Sequence, residues 1–241
     1  GDNARINERC LGHFAAISTG GQIVNFFGDR GKLYRLTNRA MTDVSKIGGY
    51  AADGDAAWKF DQYNNYVIAT CRGAPAQYFE LDGTGQFQDI GGEAGEGDTC
   101  GRIGPHFLIA QDRLLRISAF NNPLDYVPAP DTQAALVELD QRGGQCQAII
   151  GGTDVGVIFQ ERMISRMAYT GGATAFQMDP VEFNQGALGP LAVARLGRLM
   201  FYASEHGIFM FDGSQSVPIG ANKIDRHFGN NLNYTYRNRV S

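Results

Sequence analysis

The sequence has few charged side chains, one tryptophan and no long apolar run, and these shortages exclude several classes of protein. Charged residues make up 19% of the 241 residues, against about a quarter in an average domain. The net charge is −4 and like charges do not cluster, which argues against specific nucleic-acid binding because phosphate contacts need grouped Lys and Arg. No run of 18 apolar residues occurs, so the sequence predicts no membrane-spanning helix.

The cysteines are few and their spacing fits no known cysteine framework. They are Cys10, Cys71, Cys100 and Cys146, with no C-x-x-C pair among them. A zinc site would need such pairs, and a disulfide framework is typical of short secreted chains. We therefore predict free, mostly buried thiols that bind no metal and form no disulfide, in a protein assembled in a reducing cytoplasm.

Helical periodicity is also missing, whereas glycine and short strand-like runs are abundant. No window of three turns shows an apolar stripe every 3.6 residues. Glycine contributes 32 residues, well above its usual share of about 7%. β-Branched and aromatic runs recur about every 8–12 residues between Gly, Asn, Asp or Pro, as at 22–27, 66–70 and 199–203. This pattern predicts an all-β protein of short strands joined by tight turns.

A longer repeat runs through these strands. Five segments share one form, a short strand between two turns, and they align at Tyr34, Phe79, Arg116, Ser165 and Phe209. The steps between them are 45, 37, 49 and 44 residues, and in four of the five a strand-like run comes shortly before. A repeat of about 40–50 residues that holds several strands is typical of one β-propeller blade. A single blade cannot cover both of its faces, so blades stack around an axis.

The predicted fold is therefore all-β and propeller-like, with about five blades of short antiparallel strands in a single domain, residues 1–241. We expect the blades at 13–47, 56–91, 102–140, 146–182 and 190–220, and a connector at 221–241. A β-sandwich or two small barrels with irregular spacing is the alternative. We also expect the native chain to extend beyond Ser241 and before Gly1, because a last blade without its final strands would leave an unpaired edge.

Three features could be mistaken for binding sites, and each lacks an essential part. Residues 91–101 are rich in glycine but have three acids and no Lys-Ser/Thr to reach a phosphate, so we predict a flexible loop between blades. Asp53-Gly-Asp55 with Asp61 lacks the alternating ligands and closing Glu of a calcium loop, which favours a plain turn. The four histidines are far apart in the sequence, at His13, His106, His206 and His227. We expect His206 to lie in a hairpin turn. We therefore predict no catalytic residue, no cofactor site and no metal site, and expect that the protein is not an enzyme.

From about Trp58 onward the chain resembles a family of tailed-phage structural proteins. The matching segments stand in the order that the family shows, at 58–70, 77–83, 117–126, 156–166, 176–179, 201–220 and 223–226. The segment 201–213, FYASEHGIFMFDG, is similar to the closing blade motif of phage tail hub or nozzle proteins. Segment 117–126 looks like the family's W-S-x-x-x-x-P-x-D-W turn, although Ile117 and Tyr126 stand where the family has tryptophan.

The resemblance implies a structural role in a virion. Such proteins are propeller-bearing tail subunits attached below the head–tail adaptor, and they surround the DNA exit path. The implied partners are the adaptor ring, tail fibre or spike subunits, and further copies of the chain in a ring, expected to be a hexamer. Host cytoplasm is the implied place of assembly, and the resemblance implies no specific nucleic-acid binding.

Two other functions stay open from the residues. A carbohydrate- or receptor-binding tail propeller would need exposed aromatics beside Asp and Asn, for which Tyr63-Asn-Asn-Tyr66 and 230–234 are the candidates. A hydrolytic propeller enzyme would need an acid–base pair in one cleft, and the sequence places none there.

Overall fold

In the computed structural model, which describes residues 6, 8–53, 56–83, 85–172, 175–221 and 223–240, the chain forms five antiparallel sheets. Each sheet has four strands in chain order, and the sheets are arranged as the blades of a β-propeller. The prediction of an all-β propeller with five blades is confirmed, and the sandwich and barrel alternatives are wrong. No helix in the described part of the chain is long and apolar enough to cross a membrane.

The strand bounds follow the repeat closely. Blade 1 comprises β1 (Gly12–Ile17), β2 (Ile23–Gly28), β3 (Leu33–Thr37) and β4 (Ala40–Asp43). Blade 2 comprises β5 (Lys59–Tyr63), β6 (Tyr66–Cys71), β7 (Ala74–Glu80) and β8 (Gln88–Asp89). Blade 3 comprises β9 (Thr99–Ile103), β10 (His106–Gln111), β11 (Leu114–Ile117) and β12 (Ala135–Glu138). Blade 4 comprises β13 (Cys146–Ile150), β14 (Val155–Gln160), β15 (Met163–Tyr169) and β16 (Phe176–Phe183), and blade 5 comprises β17 (Val193–Leu196), β18 (Leu199–Ser204), β19 (Gly207–Phe211) and β20 (Ser216–Pro218).

The five aligned positions of the sequence repeat occupy the same strand of each blade. Tyr34, Phe79, Arg116, Ser165 and Phe209 all lie in the third strand of their blade. The strand-like runs that precede four of them are the second strands of blades 2 to 5. The sheets begin and end within four residues of the expected blade segments.

The segment 221–241, expected to be a connector, contains a helix that no apolar period indicates. Helix α1 (Asp225–Asn231) is followed by a 3₁₀ segment, Tyr234–Arg239. The carboxylate of Asp225 accepts the N–H of Ile208 at 3.0 Å, which ties the first turn of α1 to β19. An acidic side chain in the first turn also suits the helix dipole. The helix is therefore stabilised by a contact with blade 5 that sequence periodicity does not record.

Four hydrophobic clusters lie between successive blades. One cluster joins blades 1 and 2, a second blades 2 and 3, a third blades 3 and 4, and a fourth blades 4 and 5. Among the described residues, no cluster combines residues of blade 5 and blade 1. The packing thus follows an arc of blades with two end blades.

Trp58 joins the first two blades. Its side chain is buried, and its indole N–H donates to the carbonyl oxygen of Asp29 at 2.8 Å. The indole lies against Gly28, where an added Cβ would come within 2.3 Å of the ring. The ring of Tyr50 meets it edge-on at 4.9 Å. A glycine is needed at position 28 because the tryptophan occupies the space of a side chain.

Candidate functional site: the central channel and the end blades

The first strand of every blade faces the centre of the arc. These five strands contribute to one cavity of about 980 Å³. Its lining includes residues from β1, β5, β9, β13 and β17: His13, Asp61, Arg102, Ile150 and Arg195. The cavity is the central channel of the propeller.

Asp61 is a half-buried acid of this channel, and the prediction that it belongs to a plain turn is wrong. It lies inside β5, where its carboxylate accepts the backbone N–H groups of Arg102 and Gln62, each at 2.8 Å. Burial raises the pKa of Asp61. The two hydrogen bonds and the charges of Arg102 and Arg195 lower this pKa, but their effect is smaller than that of burial. The carboxylate thus fastens β9 to β5 across the inner ends of two blades.

The two arginines of the channel are also bound to the backbone. The guanidinium of Arg195 donates to the carbonyl oxygen of Gly151 at 2.6 Å, which links blade 5 to the segment after β13. The guanidinium of Arg102 donates to Gly104 at 3.0 Å and lies 4.6 Å from the centre of the Tyr63 ring. Both cations therefore hold neighbouring blades in place.

A second, smaller cavity of about 300 Å³ lies near the beginnings of the first strands. Its lining includes Arg72, in the turn after β6, which forms a bidentate pair with Asp98 at 2.8 and 2.6 Å. The same guanidinium reaches Asp112 in blade 3 at 2.7 Å. These hydrogen bonds raise the pKa of Arg72. The cluster is an ionic link between blades 2 and 3.

Lys59 lies on β5, on the same side of the strand as Asp61. Its side chain is half-buried. Burial lowers the pKa of Lys59 to about 8, although the nearby Cys100 thiol has the opposite, smaller effect. The sequence gives no signal for the lowered pKa, because a lysine in a strand usually points to solvent.

The four histidines lie in different places and do not meet. His106 is buried, with Nδ1 2.7 Å from the Ser118 carbonyl oxygen and its ring against Tyr169 and Phe176. Burial lowers the pKa of His106. His13 lies in β1, His227 in α1, and His206 in the turn between β18 and β19, as expected. Within the described ranges, no group of three or more His, Cys, Asp or Glu is placed to hold a metal ion.

The other sequence candidates are dispersed. Residues 91–101 link blades 2 and 3, with a 3₁₀ turn, Gly92–Ala94, and with the last three residues in β9. In the Asp53-Gly-Asp55 motif, Gly54 and Asp55 lie outside the described residues. Tyr63 is buried and donates its hydroxyl to the Pro105 carbonyl oxygen at 3.0 Å. It is therefore no sugar platform, whereas Tyr234 is 54% exposed.

The four cysteines are free thiols. Cys10 is exposed, whereas Cys71, Cys100 and Cys146 are buried, which confirms the prediction of mostly buried thiols. Burial raises the pKa of Cys71 and of Cys100 to about 12. Reactivity at these two positions is low because the thiolate is the nucleophile.

The end blades differ from the inner blades in how they are covered. The second strands of blades 2, 3 and 4, β6, β10 and β14, are buried on both faces. By contrast, the second strands of blades 1 and 5, β2 and β18, alternate strictly between buried and more exposed residues. Each end blade therefore packs through one face and leaves the other open, and no sequence signal marked these two faces.

We call the open face of blade 5 the blade 5 end face. Cross-strand partners in the antiparallel register share a face, and the register identifies its members as Ala194, Leu196, Leu199, Phe201, Ala203, Ile208, Met210 and Val217. None of them is buried, none is polar, and Leu196 is 72% exposed.

We call the open face of blade 1 the blade 1 end face. By the same register it includes His13, Ala15, Ile17, Ile23, Asn25, Phe27, Tyr34, Leu36, Met41 and Asp43. Tyr34 is buried and the others are not, and Ile17 and Ile23 are 59% and 66% exposed. It mixes apolar residues with His13, Asn25 and Asp43, unlike the uncharged face at the other end of the arc.

Comparisons with known proteins support the fold. The chain matches no family model and no curated protein. Among solved structures it is similar to the computationally designed Ika8 protein (TM-score 0.55, 11% identity, 84% of this chain and 59% of that one). It is also similar to the Pan2 WD40 domain of Neurospora crassa (TM-score 0.52, 10% identity, 80% and 60%). The chain thus spans about 60% of the length of these structures, and at such identities they show the propeller fold alone.

Proposed function

We propose that this chain is a structural subunit of a tailed-phage tail, of the hub or nozzle kind, that acts by binding neighbouring proteins. The observation that carries the proposal is the blade 5 end face. A contiguous surface of eight apolar residues, none of them buried, is typical of a protein interaction site. A subunit built into a larger structure has such surfaces covered after assembly.

The arrangement of the charged residues supports a mechanical role. Asp61, Arg72, Arg102 and Arg195 all bind backbone or side-chain groups of a neighbouring blade or of their own. Groups held in this way stiffen the arc. A rigid arc suits a subunit that must keep its shape beside a DNA exit path.

The segments that carry the phage resemblance support the specific assignment to a tail. The turn 117–126 packs between blades, because Ile117 and Tyr126 are buried in clusters on the two sides of blade 3. Residues of that type suit the positions where the family has tryptophan. The segment 201–213 forms the centre of blade 5, the blade that carries the apolar end face.

The experiment is to find the chain in purified virions. Particles are treated to release tails, the fractions are digested, and peptides of this chain are quantified by mass spectrometry against peptides of the major capsid protein. We expect a low, fixed copy number that follows the tail fraction through purification. Peptides found only in infected-cell lysate, with none in particles, would contradict the proposal.

A further inference from the structure

We infer that the central channel binds a small phosphate monoester that carries an aromatic ring. The cavity of about 980 Å³ has three charged side chains in its lining, two arginines and one carboxylate: Arg102, Arg195 and Asp61. The formal charge of the lining is therefore positive, which favours an anionic ligand. This inference goes beyond the proposed function, because a tail subunit could lack such a ligand and a protein outside a virion could bind it.

One recurring turn positions the two arginines. Arg102 and Arg195 are the next-to-last residues of the first strands of blades 3 and 5. In both blades Nε of the arginine donates to the carbonyl oxygen two residues on, that of Gly104 at 3.0 Å and that of Gly197 at 2.8 Å. Both glycines have a positive φ, 58° and 61°, a conformation that favours glycine. Gln62 has the same place in blade 2, and its amide donates to the carbonyl two residues on at 2.7 Å.

These hydrogen bonds hold one edge of each guanidinium group and leave outer nitrogens available. Nη1 of Arg195 donates to the carbonyl oxygen of Gly151 at 2.6 Å, whereas its Nη2 has no acceptor within the described residues. Neither Nη atom of Arg102 has an acceptor within those ranges, although the group lies 4.6 Å from the centre of the Tyr63 ring. In the same part of the chain, neither arginine is within ion-pair distance of a carboxylate. Cations that are held in place without a counter-ion form a preorganised anion site.

The two arginines act on the same region of the channel. Burial raises the pKa of Asp61, and the charges of Arg102 and Arg195 both lower it to a smaller extent. Both guanidinium groups therefore lie near one carboxylate, although they come from blades 3 and 5. That carboxylate already accepts two backbone N–H groups at 2.8 Å, so the arginines keep their outer nitrogens for a ligand.

Two guanidinium groups from different blades suit a phosphate better than a carboxylate. A phosphate monoester carries a charge of about −1.5 to −2 at pH 7 and three terminal oxygens that accept hydrogen bonds in several directions. A carboxylate has one charge and two oxygens in one plane, which a single guanidinium group can satisfy. The paired cations therefore select the phosphate.

An aromatic wall in the same cavity selects the rest of the ligand. Phe14 of β1 and Phe60 of β5 both line the channel. Their ring centres are 6.3 Å apart, the rings lie 15° from parallel, and both side chains are half-buried. Flat apolar surface beside a few fixed polar groups is the usual composition of a small-molecule site. An aromatic ring on the ligand would pack on these phenylalanines while its phosphate meets the arginines.

Isothermal titration calorimetry of the purified protein with phenyl phosphate at pH 7 tests the inference. We expect phenyl phosphate to bind at least fivefold more tightly than inorganic phosphate, which lacks the ring, and than benzoate, which lacks the phosphate. Benzamide, which has no charge, should not bind measurably. No heat of binding from phenyl phosphate would overturn the inference. Equal affinity for benzoate would overturn the assignment to a phosphate, and equal affinity for inorganic phosphate would overturn the role of the aromatic wall.

Variants locate the site within the channel. We expect Arg102→Met and Arg195→Met each to weaken phenyl phosphate binding at least tenfold. The matched control is Arg198→Met, because Arg198 is exposed in the turn after Arg195 and lies outside the cavity lining, and it should bind like the wild type. Phe60→Leu should weaken binding of phenyl phosphate and leave that of inorganic phosphate unchanged. An equal loss in Arg198→Met would mean that the anion responds to net charge alone, which would contradict a channel site.

A measurement on the wild-type protein covers the case in which an arginine variant fails to fold. Phenylglyoxal modifies accessible arginines, and the modified positions are identified by mass spectrometry of peptides. We expect phenyl phosphate to slow modification of Arg102 and Arg195 at least threefold and to leave the rate at Arg198 unchanged. Equal rates at all three arginines with and without phenyl phosphate would place any bound anion outside the channel and overturn the inference.

Discussion

At the residue scale, the contact of Gly28 with Trp58 gives the sharpest test of packing. A Cβ at position 28 would overlap the indole, and overpacking typically costs about 1–3 kcal/mol. We predict that Gly28→Ala lowers the free energy of unfolding by this amount in a guanidinium titration. Gly85→Ala is the control, because nothing lies within 4 Å of a Cβ there, and its effect should stay within about 0.5 kcal/mol. Equal stability of the two variants would show that Trp58 does not fill this space.

Lys59 provides a pH-dependent prediction. Burial lowers its pKa to about 8 from the ordinary 10.5, so between these values the unfolded chain binds more protons and stability rises with pH. We predict that Lys59→Met, which removes a half-buried charge, raises the free energy of unfolding at pH 7 by about 1–3 kcal/mol. The difference between variant and wild type should disappear as the pH rises from 8 to 10.5. The comparison with wild type is needed because the raised pKa values of Cys71 and Cys100 act with the opposite sign at high pH. A difference that is constant over this range would contradict the account of Lys59.

The thiols give a third test at this scale. Only Cys10 is exposed, and the other three cysteines are buried. We predict that iodoacetamide at neutral pH alkylates Cys10 alone in the folded protein, because burial keeps the other thiols protonated and out of reach. In denaturant without reductant, all four should react. A shortfall in denaturant would indicate a disulfide or a bound metal and would contradict the assignment of free thiols.

At the element scale, Arg72 joins two blades and should matter more than an ordinary surface arginine. Its guanidinium makes two hydrogen bonds to Asp98 and one to Asp112. We predict that Arg72→Met costs about 1–3 kcal/mol of stability and that Arg72→Lys restores little, because an ammonium group cannot form the bidentate pair.

The control for this prediction is a single ion pair within one blade. Arg113 lies 2.6 Å from Glu138, whose side chain is largely exposed, and such pairs contribute about 0–1 kcal/mol. Arg113→Met should therefore change stability less than Arg72→Met. If both variants lose the same amount, the Arg72 cluster is not an inter-blade link.

The elements themselves were largely predictable from the sequence. The repeat anchored at Tyr34 and Phe79 located the third strands because each blade reuses the same turn–strand–turn pattern. Helix α1 was not predictable, since a carboxylate contact with β19 holds it and no apolar stripe does. The prediction that Asp61 lies in a turn was wrong because its hydrogen-bond partner, the N–H of Arg102, is 41 residues away in the sequence.

At the scale of the whole molecule, the sequence could predict the number of blades but not which faces stay open. The second strands β6 and β18, YVIATC and LMFYAS, are both nearly continuous apolar runs. Such runs are typical of strands buried on both faces. Of these two strands, however, only β6 is buried on both faces. The openness of β18 depends on the absence of a neighbouring blade in the arc, which no local pattern encodes. The apolar character of β18 is itself an argument that a neighbour covers it in the assembly.

The most direct test of the account is a cryo-electron microscopy map of the native assembly, at a resolution that shows side chains. The account predicts a virion tail in which these five blades form an arc, with a neighbouring protein packed on Leu199, Phe201 and Met210. A five-blade ring closed by direct packing of blade 5 on blade 1 would contradict it, and so would a blade 5 end face left in solvent.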